Sequence, residues 1–390
     1  MVPQRQRPIT HIRLPQPLHK APVADLWWIG LDDQARLIEV QPMPAGMAMA
    51  GESWHGDWLS PMGVDLQING GLGLAFPELT TADLPLLLKL LDRLWADGIE
   101  AISPTLVTCG VPSLRQALEV LRQARAKHAP QRCSLLGAHL EGPFLAPERR
   151  GAHPLEHICA ASLEALAERI QGFEHEIALI TLAPEQPGAD LLIERLRSLG
   201  VLVCLGHSAA DAAQAGEAFD QGISMLTHTF NAMAGLHHRA PGPVGEACRR
   251  GGIALGLIAD GVHVDPSMAV LLQRMAPDQL VLVSDALAPY GLEDGEHRWD
   301  ARLLSVKAGT CRLADGTLAG VTLPLLEGCR KLARWSGEPG AAIWAATMAP
   351  RLALNNNHPL EQLLQGQRLT NLLRWKGDLN GDELSWQRGA

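Results

Sequence analysis

The sequence predicts an α/β protein, a (β/α)8 TIM-like barrel with a small β-sandwich domain formed from both chain ends. Three observations carry this reading. Between Ser60 and Ala286 one phrase recurs, a short apolar run ending in polar or small residues and then a segment of helical spacing. Eight such runs occur, a number and span close to a barrel of roughly 250 residues. The first strand-to-helix turn, Asn69-Gly70-Gly71-Leu72-Gly73, fits neither G-x-G-x-x-G nor a Walker A loop, which sets aside a doubly wound sheet.

The runs are 63–67 (GVDLQ), 101–108 (AISPTLVT), 134–141 (SLLGAHLE), 176–183 (EIALITLA), 201–207 (VLVCLGH), 224–229 (SMLTHT), 253–260 (IALGLIAD) and 279–285 (QLVLVSD). Near-continuous Val/Ile/Leu stretches are the pattern of parallel strands buried on both faces. Between them, TTADLPLLLKLLDRLWADG and PSLRQALEVLRQARAKH place apolar residues at helical spacing behind the starters Thr81 and Ser113. Two further helices are expected at about 322–336 and 340–349. The flanks, RLIEV on one side and QRLTNLLRW with ELSWQRG on the other, are short and turn-punctuated. Neither holds enough apolar surface for a core, so residues 1–59 and 351–390 are expected to form one small β-domain, with 60–350 as the barrel.

Composition narrows the function. The 390 residues are 47% hydrophobic and 19% charged, ordinary globular usage that excludes intrinsic disorder. No run approaches the roughly 18 apolar residues of a membrane span. The net charge of −9 argues against nucleic acid or anionic membrane as partners, while a local cationic cluster could still bind a small anion. Seven scattered cysteines without a CxxC pair read as thiols of a reducing compartment. The opening MVPQRQRPITHIRLPQP lacks the apolar core of a secretory signal, so a cytoplasmic location is expected.

Residues at C-terminal strand ends converge on one mouth of a barrel. Those ends supply Asp65, Gln67, Asn69, Glu141, His207, His228, Asn231, Asp260, His263 and Asp285. Singly, each has an ordinary explanation, a strand-end salt bridge for Glu141, a core hydrogen bond for either histidine, a helix cap for Asp285. Together, Glu141, His207 and His228 offer three ligands for Zn²⁺ or a similar divalent ion and leave a position open for water. Asp285, on the last strand, is placed to take and return that water's proton. A cluster Arg149-Arg150-Gly151-Ala152-His153 follows the third run, and His237-His238-Arg239 follows the sixth, near Asn231 and Ala232. The residues alone therefore indicate a metal-assisted hydrolase of a small substrate and leave open whether that substrate is anionic.

The stretches SPMGVDLQINGG, GAHLEGPFL, RRGAHP, CLGHSAA, THTFNAM, HRAPG, ADGVHVDP and LVSDALAP follow one another in an order that resembles the N-acetylglucosamine-6-phosphate deacetylases of the amidohydrolase superfamily. The resemblance implies removal of the acetyl group from N-acetyl-D-glucosamine 6-phosphate. It implies that Glu141, His207 and His228 bind the metal, that Asp285 is the acid/base, and that His263 contacts the sugar or the acetamide carbonyl. It assigns His153 to the sugar pocket and Asn231, Ala232 and Arg239 to the 6-phosphate, with Arg239 reaching a neighbouring subunit of a homodimer. Thr317-Leu318-Ala319-Gly320 resembles a loop that closes over substrate. Where many amidohydrolases carry His-x-His, this chain has Gln67-Ile68-Asn69, poor zinc ligands, so one divalent ion per subunit is expected, zinc ahead of iron, with Gln67 and Asn69 hydrogen-bonding around the pocket. Val321 also replaces a common serine. Two readings compete, an amidohydrolase of another amide, such as a different N-acetylated sugar phosphate or a cyclic amide, and a non-catalytic sugar-phosphate sensor.

Overall fold

The computed structural model describes residues 7–18, 24–44, 50–300, 302–355, 357–377 and 383–389. Residues 1–6, the start of the segment read against a secretory signal, lie outside them. Eight parallel strands form the central sheet: β1 (Gly63–Ile68), β2 (Ile99–Val107), β3 (Ala138–Glu141), β4 (Ile177–Leu182), β5 (Leu202–Leu205), β6 (Met225–Leu226), β7 (Ala254–Ile258) and β8 (Leu280–Val283). Each pairs with the next in order. Just beyond β8, the Asp285 N–H donates to the Gln67 carbonyl at 2.8 Å and the Asn69 N–H to the Ala286 carbonyl at 2.7 Å, drawing β8 back to β1.

The helices cover the outside for the reasons their patterns give. In α1 (Leu84–Ala96) the buried Leu87, Leu90, Leu91 and Leu94 form one stripe, and a capping box of Thr80 and Asp83 precedes it. Thr81 opens the 3₁₀ turn before this helix rather than the helix itself. In α2 (Val111–Ala126) the cap is Gly110, and Ser113 lies in the first turn. The two further helices expected near the end of the barrel segment are present at Leu325–Ser336 and Pro339–Thr347.

Three features depart from the sequence reading. The third apolar run breaks in two, because Gly137 takes φ +130° between Ser134–Leu135 and β3. The sixth narrows to two residues, since the chain from His228 to Ala232 turns through left-handed conformations. After β8 comes an antiparallel sheet not foreseen at all, of strands Gly295–Trp299, Arg302–Lys307, Thr310–Arg312 and Leu318–Val321. The segment expected as a closing loop is the edge strand of that sheet.

Both chain ends contribute to a β-rich outer domain. One sheet orders Leu37–Pro42, Trp27–Leu31, Ile9–Ile12 and Glu52–Ser53, and another joins Trp58–Ser60 to Leu373–Lys376 and Ser385–Arg388. Tryptophan helps fill its core: Trp27 and Trp54 are buried there, while Trp58 and Trp375 of the second sheet pack into the barrel core. A small domain has few core positions, and a large side chain removes the most apolar area from water at each.

Candidate active site

Glu141 is the last residue of β3, and its carbonyl accepts from Thr108 Oγ1 at 3.0 Å. His207 and His228 leave the ends of β5 and β6. Glycine at position 256 of β7 lets β6 come this close, because a Cβ there would meet the Leu226 carbonyl at 2.9 Å and the His228 nitrogen at 3.3 Å. His207, His228 and Asp285 all hold positive φ, +49°, +27° and +51°. Non-glycine residues adopt such backbone at a cost, and they do so chiefly where a side chain must be aimed.

These turns bring three donor atoms to one point. His207 Nε2 and His228 Nε2 lie 3.0 Å apart, and 3.2 and 3.0 Å from Glu141 Oε1. The His207 Nδ1–H donates to the Arg149 carbonyl at 2.8 Å, which leaves the Nε2 lone pair facing the other two. Burial pushes the Glu141 carboxyl up, but the imidazoles of His207, His228 and His153 around it outweigh this and hold it well below the ordinary carboxylate range. A carboxylate and two imidazoles with ligand atoms within 4.8 Å of one another, all buried, are a donor set that fits a divalent cation.

Asp285 stands beside this set. Asn69 Nδ2 donates to its Oδ1 at 2.7 Å, and Gln67 Nε2 donates both to that oxygen at 3.2 Å and to Glu141 Oε1 at 3.3 Å. Burial, reinforced by the Glu141 charge, pushes the Asp285 carboxyl up to about 7. It is therefore a group able to exchange a proton near neutrality. His263 is tethered by Nδ1 to Asp260 Oδ2 at 2.8 Å. His153 is tethered by Nδ1 to Thr108 Oγ1 at 2.9 Å, and burial together with neighbouring His207 pushes it down to about 3, so its ring is neutral.

A cavity of about 350 Å³ opens over these groups. Of the residues singled out in the sequence, Asn69, Glu141, His153, His207, His228, Asn231, Ala232, His263, Asp285 and Leu318 line it. Gln67 lies below, bridging the two carboxylates. Arg239 does not line it and is exposed on the loop after β6. The sequence reading missed Trp299, which the inserted sheet carries into the wall, and the carbonyl of Arg149, a backbone atom that no residue type announces. Alternation in RLLSVK, with Leu304 and Val306 buried between exposed neighbours, was the available signal for that sheet.

A parallel barrel whose C-terminal mouth gathers a carboxylate and two imidazoles, with a buried aspartate alongside, is the architecture of the metal-dependent amidohydrolases. No family model matches the chain. Individual relatives do. The chain is 33% identical to N-acetylgalactosamine-6-phosphate deacetylase of Escherichia coli O157:H7, over 86% of this chain and 89% of that protein. It is 36% identical to N-acetylglucosamine-6-phosphate deacetylase of Bos taurus, over 75% of this chain and 73% of that one. Among solved structures, a mutant N-acetyl-D-glucosamine-6-phosphate deacetylase from Mycobacterium smegmatis in complex with N-acetyl-D-glucosamine-6-phosphate superposes with TM-score 0.80 at 27% identity, covering 99% of this chain and 98% of that one. The chain belongs to the N-acetylglucosamine-6-phosphate deacetylase family.

Proposed function

We propose that the chain hydrolyses N-acetyl-D-glucosamine 6-phosphate to D-glucosamine 6-phosphate and acetate, with one divalent cation and with Asp285 as the acid/base. The observation that carries this reading is the juxtaposition of a carboxyl poised near neutrality with three convergent ligand atoms. Glu141, His207 and His228 would hold the cation, zinc by preference for this mixed nitrogen and oxygen set. When bound, it supplies Lewis acidity, lowering the pKa of water and stabilising charge on the acyl oxygen. Gln67 and Asn69, which stand where a second ion's histidines would be, spend their N–H groups on Asp285 and Glu141, which supports a single-ion site.

Asp285 takes the proton from the attacking water and returns it to the amine as the C–N bond breaks. His263, aimed by Asp260, donates toward the acyl oxygen, and neutral His153 packs beside the sugar. Asn231 and Ala232, at the β6 side of the mouth, take the phosphate end. We read Arg239, exposed and away from its own mouth, as reaching the phosphate of a partner subunit in a homodimer. The low overall basic charge and the absence, among the described residues, of a helix long and apolar enough to cross a membrane support a small-molecule enzyme of the cytoplasm.

The test is acetate release from N-acetyl-D-glucosamine 6-phosphate with metal content measured before and after chelation. Release that stops on chelation, with about one ion per chain, is expected; no release from metal-loaded protein overturns the reading. The breadth of the match to the Escherichia coli relative favours a second substrate, the 4-epimer N-acetyl-D-galactosamine 6-phosphate. Direct competition between the two epimers decides which has the larger kcat/KM.

A further inference from the structure

The segment that carries Asp285 lies between two sheets and is hydrogen-bonded to both. On one side the Asp285 N–H donates to Gln67 and the Ala286 carbonyl accepts from Asn69, both in the barrel chain. On the other side the Asp285 carbonyl accepts from the Val321 N–H at 3.3 Å, and the Leu287 N–H donates to the Val321 carbonyl at 2.9 Å. Ala286 thus bridges Ile68 and Val321, both in parallel. An edge strand leaves a row of backbone groups unpaired. Here the free edge of the inserted sheet is covered by the residues that hold the candidate acid/base.

Gly320 makes that contact close. It holds φ +153°, and a Cβ there would fall 2.7 Å from the Asp285 carbonyl oxygen and 2.8 Å from Leu287 Cγ. Its predecessors Thr317, Leu318 and Ala319 line the cavity. Four residues in a row therefore touch first the mouth and then the backbone of Asp285. The sheet is seated by its own small core, in which Leu304, Val306, Cys311 and Trp299 pack with Leu287 and Ala288.

We propose that the inserted sheet is a positioning element for Asp285, and that Gly320 is the positioning residue through which it acts. The wall that contacts substrate and the backbone that aims the acid/base are one strand, so displacing the strand misaims the carboxyl without removing any ligand atom. The inference rests on the reading of Asp285 as acid/base, and it extends that reading to residues that touch neither the metal ligands nor the water.

The experiment is steady-state kinetics of metal-loaded Gly320→Ala beside Gly316→Ala. Gly316 also holds a left-handed backbone, φ +87°, in the turn that joins the last two strands of the same sheet, but a Cβ there meets nothing within 4 Å. Gly320→Ala is expected to lower kcat at least about tenfold, the scale of a sub-ångström to ångström misplacement, with KM within about threefold and metal content unchanged. Gly316→Ala is expected to share any fall in melting temperature but to keep kcat. Equal kcat for both variants and wild type overturns the proposal, and so does an equal loss in both. Should Gly320→Ala not fold, Leu304→Ala loosens the seat of the sheet from a fully buried position outside the cavity. A fall in kcat at constant KM is then expected, and a change in KM alone overturns the proposal. Asp285→Asn separates the two readings. If it retains turnover, the acid/base assignment itself is wrong; if it is inactive while Gly320→Ala keeps kcat, only the positioning role is lost.

Discussion

Asp260→Asn divides the electrostatic from the geometric work of the mouth. Asp260 uses both carboxylate oxygens. Oδ1 accepts from the backbone N–H groups of Val262 and His263, each at 2.8 Å, and Oδ2 accepts from His263 Nδ1 at 2.8 Å. The Asp260 and His263 side chains are only 4% and 6% exposed, so solvent screens the pair little. Burial opposes the Asp260 carboxylate, but the facing His263 outweighs it and holds the carboxyl below its ordinary range. With Nδ1–H donated to a carboxylate, the His263 ring is held by a charge-assisted hydrogen bond. Asparagine keeps the two backbone bonds through its amide oxygen and turns an NH₂ toward Nδ1. The ring is then held by an amide rather than by a charged partner. A hydrogen bond to a charged group such as the Asp260 carboxylate contributes about 1.5–3 kcal/mol and a neutral one about 1 kcal/mol. The difference, about 0.5–2 kcal/mol, corresponds to roughly 2- to 30-fold in kcat/KM. Acetate release across a range of N-acetyl-D-glucosamine 6-phosphate concentrations measures it, with His263→Ala as the variant that removes the donor outright and loses more. No loss in Asp260→Asn, or a loss equal to that of His263→Ala, refutes the reasoning.

Two other outcomes are expected. Asp285→Asn abolishes turnover while metal content and substrate affinity, read by calorimetry, stay within about threefold of wild type, because none of the three ligands is touched. Loss of metal in that variant would assign Asp285 a ligand role instead. Burial pushes the Asp65 carboxyl of β1 up to about 6, against bonds from Ser284 and Gln67. The folded protein then binds this proton more tightly than the unfolded chain, so ionisation costs stability as pH rises from about 4 through about 6. Asp65→Asn is therefore stabilising above about pH 7 by up to about 3 kcal/mol and without gain near pH 4. Urea unfolding at both pH values checks this, and an equal effect at both would contradict it.

The barrel was legible because parallel strands buried on two faces leave unbroken apolar runs, and because each run stops at the residue that turns into the mouth. That rule led from the sequence to Glu141, His207, His228 and Asp285 without any knowledge of how the strands are arranged. The inserted sheet was not legible. Its strand Arg302–Lys307 buries only Leu304 and Val306, between exposed Leu303, Ser305 and Lys307, and a single short strand of period two looks like a loop until its partners are known. Trp299 therefore reached the cavity wall unannounced.

Residue types and their order thus determined the fold class, the ligand chemistry and the candidate acid/base, since these follow from local periodicity and from what each side chain can donate or accept. Only the tertiary structure decided how the groups act on one another. The bridge of Gln67 between two carboxylates, the carbonyl of Arg149 fixing the His207 tautomer and the docking of Val321 on Asp285 join positions far apart in the chain. Two of these four bonds end on backbone atoms, which every residue carries alike. Their pairing is set by the closure of the barrel in space, and no pattern in sequence encodes it.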